Sequence, residues 1–166
     1  MKQAIVFSSR TGNTRMLAQT AQEYLADSCI YCGDVSDEAL QAEVLYVGFW
    51  TDKGECDSSI AEFLSKLENK KVFLFGTAGF GVSPAYFAQI LQRTAAHLPA
   101  SAQQVGSYMC QGKMPQSVRD RYVQMKASGK APSNIDLLIE NFDMALSHPN
   151  GEDLAGMRDA LAKAAL

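Results

Sequence analysis

The sequence predicts an α/β protein in which a parallel β-sheet lies between layers of helices. Three observations support this class. Short apolar runs alternate four or five times with segments of helical periodicity, and parallel strands need such crossover connections. Polar, glycine-containing loops follow most of the apolar runs. The 166 residues, 47% of them hydrophobic, are enough for one domain with its own core. We therefore interpret residues 1–166 as a single domain.

Composition narrows the function classes. Lys and Arg number 15 and Asp and Glu 18, for a net charge of -3, and no basic patch is visible. This balance argues against nucleic-acid binding. No run approaches the roughly 20 apolar residues of a membrane helix, and residues 4–7 are too short for a secretory signal core. We expect a cytoplasmic protein without a membrane or nucleic-acid partner, whose cysteines are reduced.

The first half of the chain predicts three strands and two helices, at residues 2–7, 14–26, 29–32, 44–49 and from 57 or 58 onward. Residues 2–7 and 44–49 are continuous apolar runs, as expected for strands buried on both faces. Residues 29–32 form a weaker run. Asp57 or Ser58 can cap the second helix, in which apolar residues recur every three or four positions.

The second half predicts strands at residues 71–75 and 104–109. Between them, Ser83 and Pro84 have the pattern of a helix N-cap followed by proline, and Pro99 stops that helix near residue 97. From residue 115 onward the periodicity is helical in three segments. Pro132 and a turn at residues 148–151 separate them. The sequence thus predicts a five-stranded sheet with extra C-terminal helices.

The loops that follow the strands are the candidate functional regions. In open parallel sheets, ligands bind beyond the carboxyl ends of the strands. Those loops are residues 8–14, 48–57, 76–83 and 110–115. We therefore expect the chemistry of the protein to lie there.

The loop after the first strand has the properties of a phosphate cradle. Glycine permits close backbone approach, and the start of a helix directs backbone N–H groups and a favourable dipole at an anion. Neither the Walker sequence nor the dinucleotide fingerprint is present. We interpret the loop as a site for a terminal monophosphate held largely by neutral donors, the alternative being a plain capped turn. It reads Ser9-Arg10-Thr11-Gly12-Asn13-Thr14.

This hexapeptide, after Ile5-Val6-Phe7, resembles the FMN-phosphate loop of flavodoxins. The resemblance implies a three-layer α/β/α sandwich, a strand order of 2-1-3-4-5, one non-covalent FMN and electron transfer. Four later segments resemble a subgroup of single-domain flavodoxin-like proteins of anaerobic bacteria. They are Val47-Gly48-Phe49-Trp50-Thr51-Asp52-Lys53-Gly54, Gly76-Thr77-Ala78-Gly79-Phe80-Gly81, Cys110-Gln111-Gly112-Lys113 and His148-Pro149-Asn150.

The resemblance also implies which loops hold the flavin. A flavin ring is flat and mostly apolar, so aromatic faces and a few polar groups suit it. Trp50, the only tryptophan, is interpreted as one face of that site, with a core position as the alternative. Gly54 is expected to permit backbone rearrangement beside the flavin N5. The cofactor-binding prediction covers Ser9, Arg10, Thr11, Gly12, Asn13, Thr14, Phe49, Trp50, Thr51, Asp52, Lys53, Gly54, Thr77, Ala78, Gly79, Phe80 and Gly81.

The second aromatic partner of the flavin is left open between Phe80 and Tyr86. Many flavodoxins carry an acidic loop with a stacking tyrosine near this point, and this chain instead has residues 77–80. Lys113 either borders the outer edge of the site, where it would contact a substrate or a partner's carboxylate, or is a solvated lysine in a turn.

The cysteines and histidines do not indicate catalysis. Cys29 and Cys32 have CxxC spacing, but they lie in a predicted strand rather than at a helix N-terminus, where a thiolate is stabilised. We expect them to point to different faces or to lie in one turn of a loop. His97 and His148 fall at a helix end and in a turn, and no nucleophile is paired with either. We predict no catalytic residue and no metal site.

The sequence thus predicts an FMN-binding flavodoxin-like electron-transfer protein, a monomer that exchanges electrons with a larger reductase or acceptor. The alternative is an NAD(P)H- or quinone-dependent FMN oxidoreductase of the same fold. Two features keep the alternative open: the long C-terminal section, and the lack of the strong acidity by which many carriers steer toward basic partners. A third interpretation is a scaffold or receiver-like domain without flavin.

Overall fold

Five parallel strands and one short antiparallel strand form one sheet in the computed structural model, which describes residues 1–80 and 83–166. The strands are β1 (Gln3–Phe7), β2 (Cys29–Gly33), β3 (Val44–Asp52), β4 (Glu55–Cys56), β5 (Lys71–Ala78) and β6 (Gln103–Gln111). The helices are α1 (Asn13–Leu25), α2 (Ser58–Leu64), α3 (Pro84–Ala95), α4 (Gln116–Ala127), α5 (Ile135–Ala145) and α6 (Gly151–Lys163). Short 3-10 helices span Ala26–Ser28 and Asp37–Gln41.

The strand order is β2-β1-β3-β5-β6, and β4 pairs only with β3. All neighbours along the five-strand path are parallel. With β4 set aside, this is the predicted order 2-1-3-4-5. Each predicted long strand is present, although β3 and β5 run three residues further than the sequence pattern indicates.

The strand β4 has no counterpart in the sequence prediction. The pattern predicts a loop over residues 51–56, but Thr51 pairs with Cys56 and Asp52 with Glu55 in an antiparallel hairpin. The two residues between, Lys53 and Gly54, have φ angles of 52° and 86°. Positive φ at both central positions is typical of a type I′ turn, whose twist matches that of a β-hairpin. The turn was not predicted because its first central residue is Lys53, whereas Asn, Asp or Gly usually marks a type I′ turn in a sequence.

The core occupies both faces of the sheet because neighbouring residues of a strand point to opposite sides. Ile5 packs with Leu17 of α1 and Met157 of α6, whereas Val6 packs with Phe63 of α2 on the other face. All five are buried. The result is the expected three-layer arrangement, in which α6 completes the layer begun by α1.

Two corrections concern β2. The pairing of β1 with β2 shifts register between Gln3 and Ala4. As a result Cys29 and Cys32 both pack against the core cluster on the α1 side, rather than on opposite faces. The second correction is small: the strand extends one residue past the predicted end, to Gly33.

The C-terminal section is helical, as predicted. α6 contacts both α1 and β6, and α4 packs against α5. α4 begins directly after the loop that follows β6, so it borders the carboxyl edge of the sheet. Among the described residues, no helix combines the length and hydrophobicity that a membrane crossing requires.

Candidate functional site

A cavity of about 320 Å³ opens at the carboxyl ends of β1, β3, β5 and β6. All four predicted loops contribute to its lining, and so do the first turns of α3 and α4. Its volume lies at the lower end of the range for small-molecule sites. The prediction that the chemistry lies beyond the carboxyl ends of the strands therefore agrees with the position of this cavity.

The loop after β1 forms an open anion site at the start of α1. Gly12 is the N-cap residue of α1, has a φ of 90°, and contributes no side chain to cap the helix. A Cβ atom built on Gly12 meets no heavy atom of the described residues within 4 Å. The first turn of α1 contains no acidic residue, and Arg10 and Lys113 line the adjoining cavity. N–H groups at the start of the helix and the helix dipole therefore face one open space, and two cations lie beside it in the adjoining cavity.

The side chain of Ser9 stabilises the conformation of this loop. Its Oγ accepts hydrogen bonds from the backbone N–H groups of Gly12, at 3.1 Å, and Arg15, at 3.4 Å. These bonds curve the backbone into the start of the helix. Ser9 thus shapes the loop, and Gly12 leaves its centre accessible.

Thr11 and Asn13 connect the loop to the segment after β6. Thr11 Oγ1 and Asn13 Nδ2 both donate to the carbonyl oxygen of Lys113, at 3.3 Å and 2.8 Å. Asn13 is 7% exposed, and its Oδ1 has no hydrogen-bond partner among the described residues. A buried acceptor without a donor is costly. A ligand that carries hydroxyl groups would satisfy it.

Thr14 has a structural side chain. It is completely buried, and its hydroxyl donates to the Phe49 carbonyl at 3.0 Å and lies 3.2 Å from Thr77 Oγ1. This places the side chain between β3 and β5 rather than in the cavity. The backbone N–H of Thr14 lies in the first turn of α1, so the residue can still serve an anion through its main chain.

Trp50 lines the cavity and is partly exposed. Of the two positions that the sequence left open, it therefore does not occupy the core. The guanidinium carbon of Arg10 lies 5.4 Å from the centre of the indole ring. A cation at this distance is attracted to the face of the ring. The Arg10 side chain therefore connects the aromatic wall to the anion loop.

The other residues of the β3–β4 hairpin divide between the cavity and the core. Thr51, Lys53 and Gly54 line the cavity. Phe49, by contrast, is fully buried, and its ring packs over Gly76, where a Cβ would come within 2.3 Å of it. Phe49 can therefore reach a ligand only through its backbone. Asp52 is half-buried in the hairpin, outside the cavity lining.

The wall after β5 consists of Thr77, Ala78, Gly79 and Phe80, all of which line the cavity. The sequence prediction for Gly81 lies outside the described residues. Thr77 accepts a hydrogen bond from Thr51 Oγ1 through its carbonyl, at 2.8 Å, which joins this wall to the hairpin. Phe80 is 40% exposed at the rim, and Tyr86 of α3 also lines the cavity. The structure therefore does not distinguish between Phe80 and Tyr86 as the second aromatic residue of the site.

The carbonyl oxygen of Gly79 is held by the C-terminal part of the chain. It accepts hydrogen bonds from Gln111 Nε2 at 2.9 Å and from Asn141 Nδ2 at 3.1 Å. Gln111 also donates to Asn141 Oδ1 at 3.2 Å. Asn141 belongs to α5, and sequence inspection missed it because nothing in a helical stripe marks one polar residue as a clamp on a distant loop.

Three further residues line the cavity: Met114 and Pro115, which lie in the predicted loop 110–115 but are not among the predicted binding residues, and Val118, which is in no predicted functional region. Met114 contacts the β5 wall so closely that a Cβ on Gly79 would lie 2.5 Å from its Cγ. The rule that ligands bind beyond the carboxyl ends of the strands includes the loop 110–115 without singling out Met114 or Pro115. Val118 depends on how α4 packs, which the sequence does not specify.

The residues that line the cavity are suited to binding a ligand rather than to acid–base catalysis. Among the described residues, no carboxylate, thiol or imidazole lines the cavity. Burial raises the pKa of the Cys110 thiol, and burial likewise raises the pKa of Cys56 to about 11. Neither is a thiolate at neutral pH. The histidines are paired with carboxylates elsewhere, His97 with Glu55 and His148 with Asp153. The cavity therefore suits an anionic, partly aromatic ligand that brings its own reactivity.

Comparison with known proteins identifies relatives over almost the whole chain. The protein named "Flavodoxin-like domain-containing protein BilS" from Clostridium symbiosum (strain WAL-14163) is 44% identical over 179 residues, covering 97% of this chain and 94% of that protein. The solution structure of two-electron reduced Megasphaera elsdenii flavodoxin is 27% identical, with a TM-score of 0.50, over 69% of this chain and 89% of that one.

A second solved structure shares the fold. The crystal structure of Fusobacterium nucleatum flavodoxin bound to flavin mononucleotide is 17% identical, with a TM-score of 0.50, and the match covers 69% of this chain and 80% of that one. The sequence model of the family described as "Flavodoxin domain" matches residues 4–162. With the parallel sheet, the strand order and the loop at the start of α1, this match shows that the chain belongs to the flavodoxin family.

Proposed function

We propose that this protein binds one FMN non-covalently and exchanges electrons between that FMN and a larger redox partner. The observation that carries the proposal is the cavity in which an open anion loop, centred on Gly12, meets an aromatic wall at Trp50. Family membership supports a redox role. A relative has been solved in its two-electron reduced form, and a protein of the same fold has been solved with flavin mononucleotide bound.

The residues fit the phosphate of FMN. The backbone at Gly12 leaves space for an anion, and the first turn of α1 offers N–H groups that lack helical acceptors. Arg10 and Lys113 add positive charge. Asn13 Oδ1, buried without a partner among the described residues, suits a hydroxyl donor such as those of a ribityl chain.

The residues also fit a flat ring. Trp50 offers an aromatic face, and Ala78, Met114 and Val118 add apolar surface. FMN, when bound, supplies the electron-carrying chemistry. The protein binds the phosphate, orients the ring and shields its apolar part from water.

The mouth of the cavity indicates the kind of partner. Arg10, Lys53 and Lys113 are exposed around it, although the whole chain has a net charge of -3. Local positive charge of this kind steers acidic surfaces toward the site. We therefore propose that the monomer works in the cytoplasm with a larger redox protein that presents acidic groups near the flavin edge.

An FMN oxidoreductase that uses NAD(P)H or a quinone directly is the second candidate. The same three cations favour it, because the phosphates of a dinucleotide would be attracted to them as an acidic protein surface would. The two candidates differ in one measurable property: an oxidoreductase needs no protein partner to consume NAD(P)H.

The test begins with purified protein titrated with FMN and followed by flavin fluorescence and calorimetry. We expect one FMN per chain. The FMN-loaded protein is then reduced anaerobically with dithionite and, in a parallel sample, with NADPH alone. A carrier is reduced by dithionite and left oxidised by NADPH, whereas rapid reduction by NADPH supports the enzyme. Absence of FMN binding would overturn both and favour a scaffold.

A further inference from the structure

A second cluster of reactive side chains lies beside the candidate flavin site. The side-chain ligand atoms of Glu55, Cys56 and His97 all lie within 4.8 Å of one another. None of the three lines the cavity. Each contributes a different kind of ligand atom: a carboxylate oxygen, a sulfur and an imidazole nitrogen.

Two separate elements bring these residues together. Glu55 and Cys56 form β4, which the type I′ turn folds back along β3. His97 follows the end of α3, in a turn where its backbone N–H donates to the carbonyl of Thr94. Thr94 also accepts a hydrogen bond from the Cys56 backbone N–H at 3.1 Å, which holds β4 against α3. The cluster therefore rests on a fixed contact between hairpin and helix.

We infer that Glu55, Cys56 and His97 form a Zn²⁺ site, with water as the fourth ligand. Thiolate sulfur, imidazole nitrogen and carboxylate oxygen are the ligands that Zn²⁺ takes in proteins. Three protein ligands with one open position is the arrangement of an accessible zinc site rather than of a closed structural one. The inference is independent of FMN binding.

Access and geometry agree with this assignment. The side chains of His97 and Glu55 are 35% and 40% exposed, so an ion and its water can enter from solvent. Without metal, His97 Nε2 lies 2.7 Å from Glu55 Oε1, a hydrogen-bond distance. Both atoms would turn from each other toward the ion. Bonds of about 2.0–2.3 Å to each ligand would bring the three ligand atoms closer together than the 4.8 Å that bounds their present separations.

The local charge favours a cation. Asp57 is 4% exposed, and its Oδ1 has no hydrogen-bond partner in the part of the chain that the structure describes. Glu55 and Asp57 lie on either side of Cys56 in the chain and bring two carboxylates to this end of the hairpin. Arg93, whose Nη1 lies 3.3 Å from the Gly54 carbonyl, and Lys53 of the hairpin turn are opposing charges nearby.

The binding step is a proton exchange. Zn²⁺ forms bonds to the Cys56 sulfur, the His97 nitrogen and a Glu55 oxygen, and the Cys56 S–H proton leaves to solvent. No electron is transferred. Since the hairpin also carries Thr51, Lys53 and Gly54 in the cavity wall, a bound ion would join that wall to α3.

The experiment is calorimetric titration of the full chain with Zn²⁺ in two buffers that differ in ionisation enthalpy. The Cys29→Ser/Cys32→Ser variant serves as background, because those two partly exposed thiols could also bind zinc, whereas Cys110 is buried. We expect one Zn²⁺ per chain and release of about one proton. Retained stoichiometry in the background variant supports the site, and its loss overturns it.

Variants of the ligands provide the second test. Cys56→Ser and His97→Gln are each expected to lower Zn²⁺ affinity by more than the roughly 10- to 100-fold that loss of a supporting partner costs. His148→Gln is the matched control, because His148 Nδ1 also lies 2.7 Å from a carboxylate, that of Asp153, but has no place in the cluster. Unchanged affinity in His97→Gln overturns the proposal.

A spectroscopic measurement covers the case in which Cys56→Ser fails to fold. With Co²⁺ in place of Zn²⁺, thiolate coordination gives a sulfur-to-metal charge-transfer band and tetrahedral d–d bands. We expect both in the wild-type chain and in His148→Gln, and their loss in His97→Gln. A Co²⁺ spectrum without the charge-transfer band would exclude Cys56 as a ligand.

Discussion

At the scale of single residues, Gly12 carries the most specific prediction. A valine at φ 90° is strained, and its side chain would project into the open space of the anion loop. We expect Gly12→Val to lower FMN affinity at least about tenfold, since one charge-assisted hydrogen bond contributes about 1.5 kcal/mol or more. Calorimetric titration with FMN measures the loss.

Gly129→Val is the matched control for this change. Gly129 also has a positive φ, 71°, and a Cβ built on it meets no heavy atom within 4 Å, but it follows α4 away from the cavity. It should show a similar loss of thermal stability with unchanged FMN affinity. If both variants bind FMN alike, the phosphate does not lie at Gly12.

Trp50 is the second residue whose role can be measured directly. Because it lines the cavity and is partly exposed, we expect Trp50→Ala to weaken FMN binding about 3- to 10-fold, the effect of losing an aromatic contact of about 0.5–1.5 kcal/mol. Quenching of flavin fluorescence should decrease as well. Trp50→Phe should keep most of the affinity, and quenching that is the same in all three proteins would place the flavin elsewhere.

At the scale of elements, α5 acts on the site through one side chain. Asn141 donates to the Gly79 carbonyl, together with Gln111, and so fixes the wall after β5. We expect Asn141→Ala to weaken FMN binding several-fold and to lower the free energy of unfolding by about 1 kcal/mol, the contribution of a typical hydrogen bond. Fluorescence titration and urea denaturation give the two values. Asn134→Ala, an exposed asparagine before α5 that makes no cap hydrogen bond, should change neither.

The hairpin shows how an element can be hidden from a sequence pattern. The pattern predicts that β3 ends at Phe49, although the strand continues through Trp50 to the polar residues Thr51 and Asp52. A strand that lines a cavity no longer needs an apolar side chain at every position. The continuation explains why Phe49 faces the core while Trp50 faces the cavity, because neighbouring residues of a strand point to opposite sides.

At the scale of the whole molecule, buried acids determine the response to alkali. Burial raises the pKa of Tyr46 from 10.0 to about 12 and that of Cys56 from 9.0 to about 11. The folded state therefore holds these protons more tightly than the unfolded state. The resulting stability is fully present below pH 9 and is lost as the pH rises toward 12. Urea denaturation midpoints measured across this interval should fall continuously.

The variant Tyr46→Phe tests how much Tyr46 contributes to this loss of stability with rising pH. Its hydroxyl donates to Gln3 Oε1 at 2.6 Å, so the variant should begin about 1 kcal/mol less stable at neutral pH. Between pH 10 and 12 it should then lose less stability than the wild type, by an amount on the order of 2 kcal/mol. Parallel curves for the two proteins would show that Tyr46 does not contribute.

Much of this architecture could be predicted because it depends on local patterns. Continuous apolar runs, helical spacing and the Ser83-Pro84 cap specified the order and type of the long elements, and the loop at Gly12 marked the anion site. The strand order followed from the family resemblance. The paired burial of Cys29 and Cys32 could not be predicted, because a shift of register in β2 is invisible in a run of residues.

The sequence by itself determined the order of strands and helices along the chain, the edge of the sheet where the cavity lies and the glycine-containing loop at the start of α1, because each depends on neighbours in the chain. Only the tertiary structure decided that Val118 joins the cavity, that Asn141 holds Gly79, and that His97 meets Cys56. These contacts join residues distant in sequence. They depend on how helices pack and where strands pair, which local periodicity does not specify.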